Sequence, residues 1–177
     1  MRKISKIVFK RLLYWISYPQ RWIRRKGFGI HSPWAFEFVT EVLFSKHRFY
    51  AFDVLGGTIQ HEQLFKIVNW LKPAEVVLNT DEKTETDYLT YPLKSNKPES
   101  NGRVFYYDRF YHTILDIDTD CHEFQNGDCV IVDGITTSSD EAWVRLTNSG
   151  LTTSTFELYD RGIAFFDKGR QRQKYKL

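Results

Sequence analysis

Two short apolar runs, Val76-Val77-Leu78 and Cys129-Val130-Ile131-Val132, are separated by fifty residues, 79–128. Each run has the length and branched side chains of a buried strand. A strand–helix–strand unit takes about 30 residues or more. The interval therefore holds one further strand and its crossover, not three. Val104 to Tyr107 supplies that strand. Residues 79–103 are polar, contain Pro92, Pro98 and Gly102, and read mainly as loop. A weak helix is expected over 111–117. After Asp133-Gly134 come a helix over 139–147, capped by Ser139, and two strands, 153–159 and 163–166, joined at Asp160-Arg161-Gly162. So short a turn makes the last strand antiparallel to its neighbours. The expectation is an α/β fold with about five strands: 76–78, 104–107, 129–133, 153–159 and 163–166.

The first half reads as helix. Ser32-Pro33 is a helix start: a serine cap, then proline where its missing N–H costs nothing. That helix runs over 33–44, with Trp34, Phe38 and Val42 on one face. Gly56-Gly57 marks a turn. A second helix, 59–71, carries Leu64, Phe65, Ile67, Val68 and Leu71 and is stopped by Pro73.

Charge divides the chain of 177 residues at about residue 26. Residues 1–26 hold nine basic residues and no acid; the remainder holds 16 basic and 22 acidic residues, net −6. We treat 1–26 as a basic arm and 27–177 as the body. In the arm, Ile4, Ile7, Val8, Leu12, Trp15 and Ile16 recur at spacings of three and four, which makes one helical face apolar. The cations are Arg2, Lys3, Lys6, Lys10, Arg11, Arg21, Arg24, Arg25 and Lys26. Pro19 ends or kinks the helix. Three occupants suit such an arm, in order of preference. They are the chain's own acidic body, an anionic membrane surface or protein partner, and a phosphate backbone with Tyr14, Trp15, Tyr18 or Trp22 stacking on bases. A second copy of the chain is a further candidate for the apolar face.

With 42% hydrophobic residues the chain can bury a core, so wholesale disorder is excluded. No apolar run approaches the ~18 residues of a membrane span. Two cysteines make neither a disulfide framework nor a four-cysteine zinc site. No secretory signal is legible, and the expected place is the reducing cytoplasm, with a peripheral membrane position through the arm as the variant.

Gly27-Phe28-Gly29-Ile30-His31-Ser32-Pro33-Trp34, followed by Phe36, Val39 and Thr40, resembles the opening segment of a group of Bacteroidetes proteins. These are class I S-adenosylmethionine-dependent methyltransferase-like proteins. The later segments Val130-Ile131-Val132-Asp133-Gly134-Ile135, Glu141-Ala142-Trp143, Thr155-Phe156-Glu157-Leu158-Tyr159 and Gly162-Ile163-Ala164-Phe165-Phe166 are similar to that family's last strands, in order. The likeness covers about two thirds of the chain. It implies a reduced doubly wound, Rossmann-like sheet with a C-terminal antiparallel hairpin and an N-terminal helical extension. It also implies a cofactor site after the first strand, where the chain turns through glycines so that bare backbone meets the ligand. Here that place is taken by Asn79-Thr80-Asp81-Glu82-Lys83-Thr84, and no glycine occurs until Gly102. Asp81 and Glu82 would lose water beside a ligand that carries a carboxylate. If Val104–Tyr107 is the family's fourth strand, Asp108 ends it and the unit holding the cofactor's ribose is gone. If it is the second, Asp108 holds the ribose. The first option fits the spacing from Asp108 to Asp133.

The leading expectation is thus a shortened methyltransferase-like domain that has lost the cofactor and acts by binding. The alternative is an active methyltransferase with an unusual cofactor loop, with Asp108, Asp133 and His31 as its key residues. A nucleic-acid-binding module through 1–26 is third. Paired carboxylates at Asp108 and Asp133 suit a base or a metal, and capping is the plainer role for both. His112, Cys121, His122 and Cys129 match no compact ligand spacing, and Cys129 is expected in the core. His31 suits a crevice or a helix start, and His47 and His61 have no evident partner. Tyr106, Tyr107, Phe110 and Tyr111 form an aromatic cluster around Asp108 and Arg109 that suits a pocket, an interface or the core.

Overall fold

The computed structural model describes residues 12, 15–108, 124–135 and 141–177. The expected helix over 111–117, the Ser139 cap, and Arg109, Phe110, Tyr111, His112, Cys121 and His122 lie outside the described residues. So do Lys3, Lys6, Lys10 and Arg11.

Among the described residues six strands form one open mixed sheet: β1 (Glu75–Asn79), β2 (Arg103–Tyr107), β3 (Asp128–Asp133), β4 (Ser154–Glu157), β5 (Arg161–Phe166) and β6 (Gln173–Lys176). Their order is β1-β2-β3-β5-β4-β6. β1, β2 and β3 pair in parallel. β5 lies between β3 and β4 and is antiparallel to both. β6 lies parallel to β4. The antiparallel last element of the expected five is therefore present, but a sixth strand follows it. Gln173-Lys174-Tyr175-Lys176 offers one apolar residue, so its composition is that of an edge. Its signal is alternation: Tyr175 and Leu177 are buried, Lys174 and Lys176 are not.

The strands alternate between two cores. Val104, Tyr106, Cys129, Ile131, Ile163 and Phe165 face one side. Phe105, Tyr107, Val130, Val132, Ala164 and Phe166 face the other. The first face is covered by helices of the N-terminal half: α2 (Pro33–Glu37), which continues as a π-helical segment Phe38–Leu43, and α4 (Ile59–Leu71). Ser32 caps α2 by accepting the Ala35 N–H at 3.4 Å, with Pro33 at the first position. The expected single helix over 33–44 widens at Phe38, where Phe44 N–H bonds Val39 O and Thr40 Oγ bonds Phe36 O. The wider turn sets Phe38, Val39, Val42 and Leu43 all inward. Trp34 stacks on Phe38 and meets Phe165 edge-on.

The reading of 79–103 as loop is overturned. Residues Lys83–Ser95 form a helix, α5, with Pro92 inside it. Tyr88, Leu89 and Pro92 are buried, and Tyr88 joins Ala51, Phe52 and Phe65 in a small third core. Burial of this face outweighs the one hydrogen bond that Pro92 removes near the helix end. Short α3 (Tyr50–Leu55) was also not expected. No further strand lies between β1 and β2.

On the other face, α6 (Glu141–Asn148) brings Trp143 and Leu146 onto the sheet. Gly162 makes this approach possible. A Cβ there would lie 2.7 Å from three atoms of the Trp143 ring. Gly162→Ala is expected to cost about 1–3 kcal/mol by overpacking. Trp143→Leu in the same chain should recover part of that loss. Urea unfolding of the single and double variants checks this; equal stability of Gly162→Ala and the parent chain would show that the contact is not tight.

Candidate functional site

The carboxyl ends of β1, β2 and β3 converge on a chain of polar side chains. Asp133 ends β3, and its register partner across β5 is Arg161. Arg161 Nε and Nη2 donate to the two Asp133 oxygens at 2.5 and 2.6 Å. Its Nη1 donates to Gln60 O in the first turn of α4 at 2.7 Å. The Tyr106 hydroxyl donates to Asp133 Oδ2 at 3.0 Å and also meets the Glu85 carboxyl. Thr80 Oγ donates to Glu85 Oε2 at 2.9 Å. The chain Thr80–Glu85–Tyr106–Asp133–Arg161–Gln60 thus runs from the β1 loop to the start of α4.

Its electrostatics follow from burial. Burial opposes the Arg161 charge, but the Asp133 carboxylate and its hydrogen bonds prevail, so the guanidinium is held more firmly charged than usual. Burial pushes the Tyr106 hydroxyl far up, and the Asp133 charge adds to it. Burial also raises the Glu85 carboxyl; hydrogen bonds to Tyr106 and Thr80 oppose this, and the charges of Asp133 and Asp108 reinforce it.

Beside this chain opens a cleft of about 960 Å³. Its walls are the segment 43–48, the start of α4, the turn 158–161 and Arg25 of the arm, with Glu85 and Asp133 at the edge of the network. Two buried residues of α4 fix one wall: Gln63 Nε2 donates to Leu43 O at 3.1 Å and Lys66 Nζ to Ser45 O at 2.9 Å. Burial lowers the Lys66 pKa. Lys46, Arg48 and Lys66 place cations in that wall, while Glu62 and Asp160 place acids in the lining. Such a cleft can hold a small polar ligand of mixed charge. It offers no ready base at Asp133, whose oxygens accept from Arg161 and Tyr106.

The structure distributes the sequence candidates as follows. Asp133 and Asp108 both lie at this edge; Asp108 is buried and its N–H donates to Asn79 O at 3.2 Å. His31 is exposed before α2 and is not in the cleft lining, so the trio Asp108, Asp133 and His31 is not brought together. Asn79 ends β1, while Thr80 accepts the Glu82 N–H at 3.0 Å and leads with Asp81 into α5. The residues at the expected cofactor loop therefore start a helix. Tyr106 and Tyr107 are buried on opposite faces, so they do not line one pocket. Cys129 is buried in the core, as expected, and burial pushes its thiol up. His61 takes the Thr58 N–H on Nδ1 at 3.2 Å, and both it and His47 line the cleft. Among the described residues no three His, Cys, Asp or Glu side chains form a metal-binding group. Arg161, Glu85 and Lys66 were missed. Arg161 was legible in principle: with the hairpin laid beside Asp133, the charge at the strand's first position falls opposite that carboxylate.

Two outcomes are expected. Arg161→Met leaves the Asp133 carboxylate, 15% exposed, without its ion-pair partner and should cost up to about 3 kcal/mol, while Asp133→Asn in the same chain should recover much of it. Urea midpoints read both; a double variant no better than the single would mean the pair is not a coupled unit. Glu85 titrates with the opposite sign to a salt-bridged carboxylate. Its raised pKa gives stability that is full below the unfolded value and is lost as pH rises through the folded value. Glu85→Gln should therefore gain in melting midpoint relative to the parent as pH rises above the ordinary carboxyl range; a flat or falling difference would sink the assignment.

No protein family, curated protein or solved structure matches this chain.

Proposed function

We propose that this chain is a shortened methyltransferase-like domain that does not use S-adenosylmethionine and acts by binding. The observation that carries this reading is the closed network at the carboxyl edge of β1–β3. A cofactor at that edge needs open backbone after β1 and a carboxylate free to meet it. Here Thr80 and Glu85 bond one another, the loop after β1 starts α5, and Asp133 is engaged by Arg161 and Tyr106. The sheet supports the ancestry in two ways. β1 passes through α5 directly to β2, as a doubly wound sheet with its second and third units removed would do. The antiparallel β5 sits between β3 and β4, as the hairpin of the resemblance implies.

Binding then falls to surfaces beside the old crevice. The cleft between segment 43–48, α4 and the turn 158–161 is the place for a small polar ligand. An active enzyme would need Asp133 released from Arg161, at the cost of a buried unpaired guanidinium.

Calorimetric titration with S-adenosylmethionine and with S-adenosylhomocysteine tests the reading. No saturable heat is expected at millimolar ligand. A dissociation constant in the micromolar range, about −8 kcal/mol, would establish a working cofactor site and overturn it.

A further inference from the structure

The arm presents its two sides differently. In α1 (Tyr18–Arg25), Arg21 is buried. Its Nη1 donates to Leu177 O at 3.1 Å and Glu157 O at 3.4 Å, and its Nε donates to Ser17 Oγ at 3.0 Å. The Glu157 carboxylate lies 3.8 Å from Nη2. The arm is therefore fastened to the ends of β4 and β6 by its polar side. The apolar side faces out. Leu12, Trp15, Ile16, Trp22 and Ile23 follow helical spacing and are 46 to 68% exposed. Phe28, in the turn after α1, is 66% exposed. The Arg21 N–H bonds Ser17 O, which carries the helical path from residues 15 and 16 into α1. A stripe of this size on a monomer marks a contact surface.

We propose that this stripe seats on an anionic lipid surface, with the arm lying in the plane of the interface. Charge selects this occupant. Residues 1–26 hold nine cations and no acid, so two arms laid face to face would bring like charges together, while anionic headgroups attract them. The side chains suit an interface. Trp15 and Trp22 are amphipathic rings of the kind that gathers at headgroup level. Lys26 Nζ lies 3.7 Å from the Trp22 ring centroid, beside the stripe. Arg24 instead turns to the docked side, where it reaches Lys176 O at 3.5 Å, so Lys26 is the described cation beside the stripe, and long basic stems extend toward phosphate while their methylenes stay apolar. Leu12, Ile16 and Ile23 have no planar face to offer a nucleic-acid base, which argues against a nucleic-acid track. Among the described residues no helix is long and apolar enough to cross a membrane, so the seat lies on the surface. Arg25 also lines the cleft, which places the cleft beside the seat.

The test uses the full chain and vesicles of phosphatidylcholine, alone or with one third phosphatidylglycerol, at low salt. Co-sedimentation should show at least tenfold tighter binding to the anionic vesicles, weakened by half-molar salt. The double variant Ile16→Glu, Ile23→Glu should lose at least tenfold, with its melting midpoint unchanged because both positions are exposed. If that variant does not fold, Trp22→Ser takes its place, with a smaller loss expected. Equal binding to neutral and anionic vesicles overturns the proposal, as does undiminished binding by the variants. Sedimentation velocity that shows a dimer in the parent and a monomer in the double variant, with no vesicle binding, assigns the stripe to a second copy and also overturns it. The result is independent of the cofactor titration: either reading can fail while the other stands.

Discussion

The central strand β3 is held at both ends by a carboxylate–arginine pair, and the layout depends on these two contacts. At its amino end Asp128 accepts the Arg103 backbone N–H and the Gln125 N–H, each at 2.8 Å, and the Arg103 guanidinium at 2.8 Å. This fixes β2 against β3. At its carboxyl end Asp133 holds Arg161, which fixes β5. A buried charge alone is costly, and a buried pair is worth keeping only when its remaining donors and acceptors are met. Here Gln60 O takes the third Arg161 contact and Tyr106 supplies a donor to Asp133. The pair also specifies register. Sliding β5 by one residue would turn Ile163 and Phe165 to the wrong core and leave Asp133 without its partner.

The same contact decides what the crevice can do. An arginine of fixed charge lies across the carboxylate that ends β3 and engages both of its oxygens. Glu85 and Thr80 close the neighbouring position from α5 and the β1 loop. Evolution of such an edge can go either way: a free carboxylate is a binding group, and a paired one is a structural pin. The geometry here is that of a pin, with the ligand-sized space moved outward between segment 43–48 and α4.

Much of this was legible in the sequence because the parallel strands write themselves as short apolar runs. Val76–Leu78, Val104–Tyr107 and Cys129–Val132 gave the parallel strands, and the length between them limited the sheet. Ser32-Pro33 announced α2 and the run before Pro73 announced α4. What was illegible depended on distant partners. Lys83–Ser95 looks like loop because Thr84, Thr86, Thr90 and Pro92 are poor helix formers; only the burial of Tyr88 and Leu89 against α3 and α4 holds it. β6 is an edge strand, recognisable only by Tyr175 and Leu177. The candidate site was half legible. Asp133 and Asp108 end their strands as expected, but Glu85 was hidden in a helix read as loop and Arg161 in a turn. Of the arm's expected apolar face, Leu12, Trp15 and Ile16 are described and exposed, while Ile4, Ile7 and Val8 lie outside the described residues. Docking on the body, the first of the expected occupants, is met by the polar side, through Arg21 on Glu157 and the carbonyls at the ends of β4 and β6, and not by the apolar face.

Arg21 and Arg161 do the same physical work in two places. Each is buried, each uses a planar fork to reach main-chain oxygen as well as a carboxylate, and each ties a connecting segment to the end of a strand. Lysine gathers its three donors on one nitrogen and has no planar fork, so it could not span both carboxylate oxygens and a separate carbonyl as arginine does. One arginine ties β5 and the start of α4 to the carboxyl end of β3. The other fastens a cationic helix so that its apolar side stays outward. Both forks lie at strand ends, so they hold the connecting segments that border the cleft beside Arg25 and the exposed stripe of the arm.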